Sequence, residues 1–206
     1  MTLTIHGFPI STYVRTARMT CVEKGVDYQL DPIPPDDCKA RGLHPFGKVP
    51  AMDHDGFKLF ESGAICRYID AAFQGPALQP ADIKARALMD QWISVAGDAL
   101  YDVMIRKFVL QYVFAKDGKP DRSVIDPAIG QIREQLGVLD RAYGARDFVV
   151  GDSLTLADLF LAPLLFYVGK MPEGGELLGA VPAVRRGIAA IETRKSCAET
   201  MPPMPG

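Results

Sequence analysis

The chain has 206 residues, a formal charge of −2 and a sequence pI near 5.9, and 48% of its residues are hydrophobic. That length allows one domain or two and a sizeable core, while the near-neutral balance offers no long-range attraction for nucleic acid or an acidic membrane surface. No apolar run approaches the roughly 20 residues that span a bilayer, and the N-terminus lacks a basic segment followed by an apolar one, so a cytoplasmic protein is expected.

Leu3-Thr4-Ile5 reads as a strand, followed by a turn at Gly7-Phe8-Pro9 and helical spacing at Val14, Ala17, Arg18, Cys21 and Val22, with Gly25 ending the helix. Tyr28-Gln29-Leu30 reads as a second strand, and Asp31-Pro32-Ile33-Pro34-Pro35 breaks regular structure. Asp55-Gly56 between two short apolar runs predicts a β-hairpin over residues 51–60, because a tight two-residue turn needs positive φ. Ala64, Ile65, Tyr68, Ile69 and Ala72 then recur at helical spacing, which puts Glu61-Ser62 at a helix N-terminus. Cys21, Cys38, Cys66 and Cys197 form no C-x-x-C pair, and His6, His44 and His54 lack ligand spacing, so neither a disulfide framework nor a metal site is expected.

The order β-α-β, loop, β-β-α is that of a thioredoxin-like domain with helices on a mixed sheet. Phe73 to Pro80 reads as a linker with a boundary near residue 77. Beyond it strand alternation disappears. Helical patterns run at roughly 82 to 115, 124 to 143, 155 to 169 and 183 to 195, with breaks at Pro120, Pro127 and Gly144 and a loop at Gly174-Gly175 and Pro182. The predicted organisation is an α/β thioredoxin-like domain at 1–77 and an all-α helical bundle at 82–206. Thr155 and Asp158 have the spacing of a capping box, so Asp158 is read as structural rather than catalytic.

The chemistry concentrates in 47–62. Val49-Pro50 stands before the first hairpin strand, and a cis bond there turns the backbone of Val49 outward, where an extended ligand can pair with it. At the helix N-terminus, unpaired N–H groups and the positive dipole end favour a carboxylate at Ser62, while Glu61 suits an ammonium. An α-amino-acid head group fits both.

His44-Pro45-Phe46-Gly47-Lys48-Val49-Pro50 followed by Lys58-Leu59-Phe60-Glu61-Ser62 resembles the glutathione-binding segment of the glutathione S-transferase family, in its bacterial, serine-type, two-domain form. The resemblance implies that Lys48, Val49, Pro50, Glu61 and Ser62 bind glutathione, with Val49 and Pro50 serving its cysteinyl part and Glu61 and Ser62 holding its γ-glutamyl head. It covers both domains, since family members carry a similar capping box in a core helix. Glutathione is then the co-substrate, with no metal required, and detoxification of a small hydrophobic electrophile is the implied role. Between residues 33 and 42 relatives often carry a basic or His side chain for the glycyl carboxylate; here Lys39, Arg41 and Lys48 are the candidates.

A thioredoxin-like domain carries its reactive group where the first strand hands over to the first helix. Ser11 stands there, and a hydroxyl cannot attack a disulfide as a thiolate does. It can donate a hydrogen bond that favours a bound thiolate, and each pKa unit so gained corresponds to about 1.4 kcal/mol. Serine-type family members have a matching hydroxyl, which makes Ser11 the catalytic candidate, with Thr12 and Tyr13 as competitors and a simple helix cap as the alternative role. The tyrosine-type position falls at about Gly7. Tyr13, Tyr101, Ile105, Phe108 and Tyr112 are candidates for a hydrophobic acceptor site expected between the domains, although such a stripe also suits plain core. Three functions are compatible with the sequence: glutathione conjugation, a non-catalytic ligand-binding or interaction protein, and a glutathione-dependent peroxidase or isomerase. The resemblance also implies a homodimer, for which Arg67 and Asp70 are candidate contacts.

Overall fold

A computed structural model describes residues 2–202. The described residues of Met1–Gln79 and Thr193–Gly206 form one compact unit and Pro80–Glu192 a second.

In the first unit, β1 (Leu3–His6), β2 (Gln29–Asp31), β3 (Ala51–His54) and β4 (Phe57–Phe60) make a four-stranded sheet in the order β2-β1-β3-β4. β1 runs parallel to β2 and antiparallel to β3, which pairs antiparallel with β4. The mixed sheet follows from the connections. A tight turn with Asp55 at φ 51° and Gly56 at φ 91° joins β3 to β4, whereas β1 reaches β2 through α1 (Thr12–Lys24), and only such a crossover returns the chain parallel. α1 and α3 (Ser62–Ala72) pack together, with Leu3, Ile5, Met52, Val14, Ala17 and Ile65 in the buried core. A second cluster gathers Ile33, Cys38, Leu43 and Ala51, with Val49 packed against it.

Cys38 belongs to α2 (Pro35–Ala40), a short helix that begins where the run of prolines predicts a break. Proline at the first helical position loses only an N–H that has no partner there anyway, and Asp36 and Asp37 in the first turn complement the dipole.

The linker is tied to the first unit. Asp70 accepts from Leu78 N–H at 2.9 Å and from Gln79 N–H at 3.2 Å and Nε2 at 3.0 Å, and lies 3.0 Å from Lys24 Nζ. Lys24 in turn donates to the carbonyls of Gly75 and Pro76. These bonds set the division after Gln79. Asp70 is therefore spent inside its own unit, with its side chain 6% exposed, and the expectation of a subunit contact there is corrected.

The chain from Thr193 returns to this unit, where α10 (Lys195–Glu199) packs on α1. Glu23 receives Arg194 Nε at 2.7 Å and the hydroxyl of Ser196, and buried Arg15 donates to Thr200 Oγ1 and the Cys197 carbonyl at 3.4 Å each. This differs from a helical domain running unbroken to the C-terminus.

The second unit is helical. α4 (Ile83–Val95) continues through a π-helical stretch (Ala96–Val109) into α5 (Leu110–Val113), against which α6 (Arg122–Tyr143) and α7 (Leu156–Lys170) pack, with α9 (Pro182–Glu192) closing on α6. Pro127, expected at a break, lies inside α6 near its N-terminal end. Gly174 opens α8 (Gly174–Gly179) rather than marking a loop, since a Cβ there would stand 2.0 Å from the Val168 carbonyl oxygen. Asp158 does cap α7: it is buried and accepts from Val149 N–H at 2.8 Å and from Thr155 N–H and Oγ1 at 2.9 Å each. No helix among the described residues is long and apolar enough to cross a membrane.

Candidate active site

Strand register brings the site together. His6, the last residue of β1, pairs with Ala51, the first of β3, and Ala51 pairs on its other side with Phe60, the last of β4. One row across the sheet therefore ends in three segments on the same edge: the turn from Gly7 to Ser11, the loop Lys48-Val49-Pro50, and Glu61-Ser62.

Gly7 shows how closely the first two approach. A Cβ built on it would lie 2.5 Å from Val14 Cγ2 and 2.8 Å from Val49 Cβ, and its φ of 140° is itself unfavourable for a side chain. A tyrosine has no room at this strand end. The chain then turns, with Ser11 N–H donating to the Phe8 carbonyl at 3.1 Å, and Ser11 becomes the N-cap of α1. Its Oγ accepts from Val14 N–H at 3.4 Å. Accepting uses a lone pair and leaves the hydroxyl proton to donate, so the cap and a thiolate-stabilising role coexist in one side chain. Of the neighbouring candidates, Thr12 is buried and Tyr13 half-buried.

The Val49-Pro50 peptide is cis. Among the described residues the backbone N–H and C=O of Val49 have no hydrogen-bond partner, which leaves a donor and an acceptor side by side for an extended ligand. Pro50 is buried and Lys48 exposed.

Glu61 holds φ 70° and ψ 115°, a conformation few non-glycine residues adopt, and its side chain does not cap α3. The first N–H groups of α3, beginning with Ser62, therefore face outward with the positive dipole end and no capping side chain. An exposed carboxylate beside an uncapped helix N-terminus presents one attachment point for a cation and one for an anion, a few ångströms from each other.

Sequence reasoning missed His44. Its ring is buried, 2% exposed, and packs 4.9 Å from the Phe60 ring and 6.2 Å from that of Phe46. Phe46 N–H donates to Nδ1 at 3.2 Å, and Nε2 lies 3.8 Å from Glu61 Oε1. Burial pushes the imidazole pKa down, against the pull of Glu61 and with the help of Lys48, so the ring is neutral. The only sequence signal was its place in the motif just before Pro45.

The cysteines are not reagents. All four thiols are buried; burial pushes Cys66 up to about 12 and also raises Cys21 and Cys38. No group of His, Cys, Asp or Glu among the described residues is arranged to hold a metal.

The acceptor candidates of the second unit divide. Ile105 and Phe108 are core, 4% and 0% exposed. The π-helical turn is wider than an α turn, so residues at α spacing do not stay on one face. Tyr101 carries Arg106 5.6 Å from its ring centroid, and the Tyr112 hydroxyl donates to Glu173 at 2.6 Å and accepts from Arg122 at 2.8 Å. Burial, followed by Glu173, pushes the Tyr112 phenol up to about 12.

Residues 5–77 match the glutathione S-transferase N-terminal domain, and residues 122–186 match the glutathione S-transferase C-terminal domain. A glutathione S-transferase of Hyoscyamus muticus is 33% identical over 181 residues, covering 82% of this chain and 83% of that protein. The chain belongs to the glutathione S-transferase family. This transferase also superposes on solved members: glutathione S-transferase III in apo form at a TM-score of 0.88 and 30% identity, covering 100% of this chain and 99% of that one. A theta class glutathione S-transferase of Xanthomonas axonopodis pv. citri with glutathione bound gives a TM-score of 0.85 at 26% identity, with 99% of each chain covered.

Proposed function

We propose that this transferase binds glutathione along the edge where β1, β3 and β4 end, and that Ser11 holds its sulfur as a thiolate for attack on small hydrophobic electrophiles. The observation that carries the reading is the row His6, Ala51, Phe60, which gathers the Ser11 turn, the free backbone of Val49 and the N-terminus of α3 on one edge. The γ-glutamyl ammonium meets Glu61, its α-carboxylate meets Ser62 and the N–H groups behind it, and the cysteinyl N–H and C=O pair with Val49. Lys48, exposed beside Val49, faces the glycyl end.

In that pose the cysteinyl sulfur lies at the start of α1. Ser11 O–H donates to it, and the helix dipole adds positive potential, so the thiol loses its proton to solvent near neutral pH. The thiolate's electron pair forms a carbon–sulfur bond. In a displacement the leaving group departs with the electrons of the bond it breaks; in an addition the resulting carbanion takes a proton from water. Tyr13, one residue beyond the buried Thr12, is a candidate wall for the acceptor. As the resemblance implies, the protein acts in the cytoplasm as a homodimer, with Arg67 the remaining charged candidate for the contact.

Titration calorimetry with glutathione, followed by turnover with a panel of aryl halides, activated alkenes and hydroperoxides, tests the reading. Absence of glutathione binding overturns it, and turnover of hydroperoxides alone replaces conjugation by reduction.

A further inference from the structure

We propose that His44 is a positioning residue for the head group of glutathione: its Nε2–H steers the Glu61 carboxylate toward the ligand's ammonium. The inference rests on the reading of glutathione as the ligand.

The argument begins with the tautomer. Phe46 N–H donates to Nδ1 at 3.2 Å, so Nδ1 keeps its lone pair and the proton of the neutral ring sits on Nε2. The ring cannot swing away, since it is 2% exposed and packed against Phe60 and Phe46. Nε2 therefore presents a fixed N–H dipole whose described charged partner is Glu61 Oε1, 3.8 Å off. Glu61 needs such a guide. Its side chain is 62% exposed, does not cap its own helix, and starts from an unusual backbone conformation, so without His44 nothing described restrains its carboxylate. A free Glu side chain loses rotamer entropy when it docks on an ammonium, and a dipole acting on one oxygen reduces that loss while leaving the other oxygen to the ligand. Because the ring is neutral, it aims the carboxylate without competing with the ammonium for its charge. Lys48 also acts on this corner, disfavouring protonation of His44.

The test uses full-length protein, glutathione, and glutaryl-cysteinylglycine, the α-deamino analogue that lacks only the ammonium of the head group and keeps its carboxylate. His44→Phe keeps a ring and removes the donor; His44→Asn offers a smaller donor and keeps the measurement available if the phenylalanine variant does not fold. We expect His44→Phe to weaken glutathione binding about two- to fivefold in calorimetry, raising KM with kcat little changed, and to leave the deamino analogue's affinity where it was. In a Glu61→Gln background the effect should vanish. Equal loss on glutathione and the deamino analogue, or full additivity with Glu61→Gln, makes His44 a packing residue and overturns the proposal while leaving glutathione as ligand. Failure of the wild type to bind glutathione overturns the functional reading and the positioning role together.

Discussion

The Ser11 hydroxyl caps α1 through a long bond, accepting from Val14 N–H at 3.4 Å. A cap at that distance is weak, and it engages a lone pair rather than the hydroxyl proton. The side chain is thus held at the helix end while its donor remains available for sulfur.

Replacing Ser11 by Ala should therefore hurt chemistry more than folding. A hydrogen bond to a charged group is worth about 1.5 to 3 kcal/mol, so kcat should fall roughly ten- to a hundredfold where thiolate chemistry limits the rate. The pKa of bound glutathione, read from thiolate absorbance, should rise toward about 8.5, the value of an unperturbed cysteine-like thiol. The lost cap should lower stability by no more than about 1 kcal/mol. A variant with the wild-type thiol pKa, alongside a Thr12→Ala or Tyr13→Phe variant that loses it, moves the activating hydroxyl to a neighbour.

Ser62→Ala should weaken glutathione itself. Loss of a charge-assisted bond at the helix N-terminus should raise the dissociation constant by the equivalent of about 1.5 to 3 kcal/mol. An unchanged constant in titration calorimetry rejects Ser62 as a carboxylate ligand.

Gly7→Ala probes the seam between the Ser11 turn and the Val49 loop. The added methyl meets Val14 Cγ2 at 2.5 Å and Val49 Cβ at 2.8 Å on a backbone with φ 140°. Overpacking of this kind costs about 1 to 3 kcal/mol, and relief of the clash must push Val49 or α1 outward. Both the denaturation midpoint and glutathione affinity should drop. Wild-type values in both would mean that the turn and the loop are farther apart than the strand register implies.

The buried pair of Lys24 and Asp70 sets an acid limit on the first unit. Burial alone would raise the Asp70 carboxyl, but the bonds from Leu78, Gln79 and Lys24 outweigh it and hold the group below its ordinary value of 3.8. A depressed carboxyl contributes stability that is present above the unfolded value and lost as pH falls through the folded one. Stability should therefore decline below about pH 4, and Asp70→Asn should be less stable than wild type at pH 7 by about 3 to 5 kcal/mol, with a flatter profile in acid. Urea titrations of both proteins from pH 3 to 7 measure this; parallel profiles would remove Asp70 as the acid-sensitive group.

The parts of the fold legible in sequence were those with a local cause. Asp55-Gly56 announces its turn, Gly25 ends its helix, and Thr155 with Asp158 closes a box four residues long. The differences share one origin, since Pro35, Pro127 and Gly174 count as breakers by residue type whereas position decides their effect: Pro35 is harmless at a first helical position, and Gly174 is demanded by the nearby Val168 carbonyl. Asp70 looked like a surface charge because helical periodicity says nothing about a linker that folds back over it. Within the site, Ser11, Val49, Glu61 and Ser62 stood out as an ordered motif, whereas the approach of His44 to Glu61 depends on packing between Phe46 and Phe60 that no spacing rule reports.

The return of the chain at Thr193 orders events during synthesis. Pro80–Glu192 is contiguous, so its helices can assemble as soon as they leave the ribosome. The sheet of the first unit is made earlier, yet α1 waits with Arg15 and Glu23 uncovered until Arg194, Ser196 and Thr200 follow the second unit out of the ribosome. The unit that carries the candidate active site thus begins before Pro80–Glu192 is made and is completed only after it.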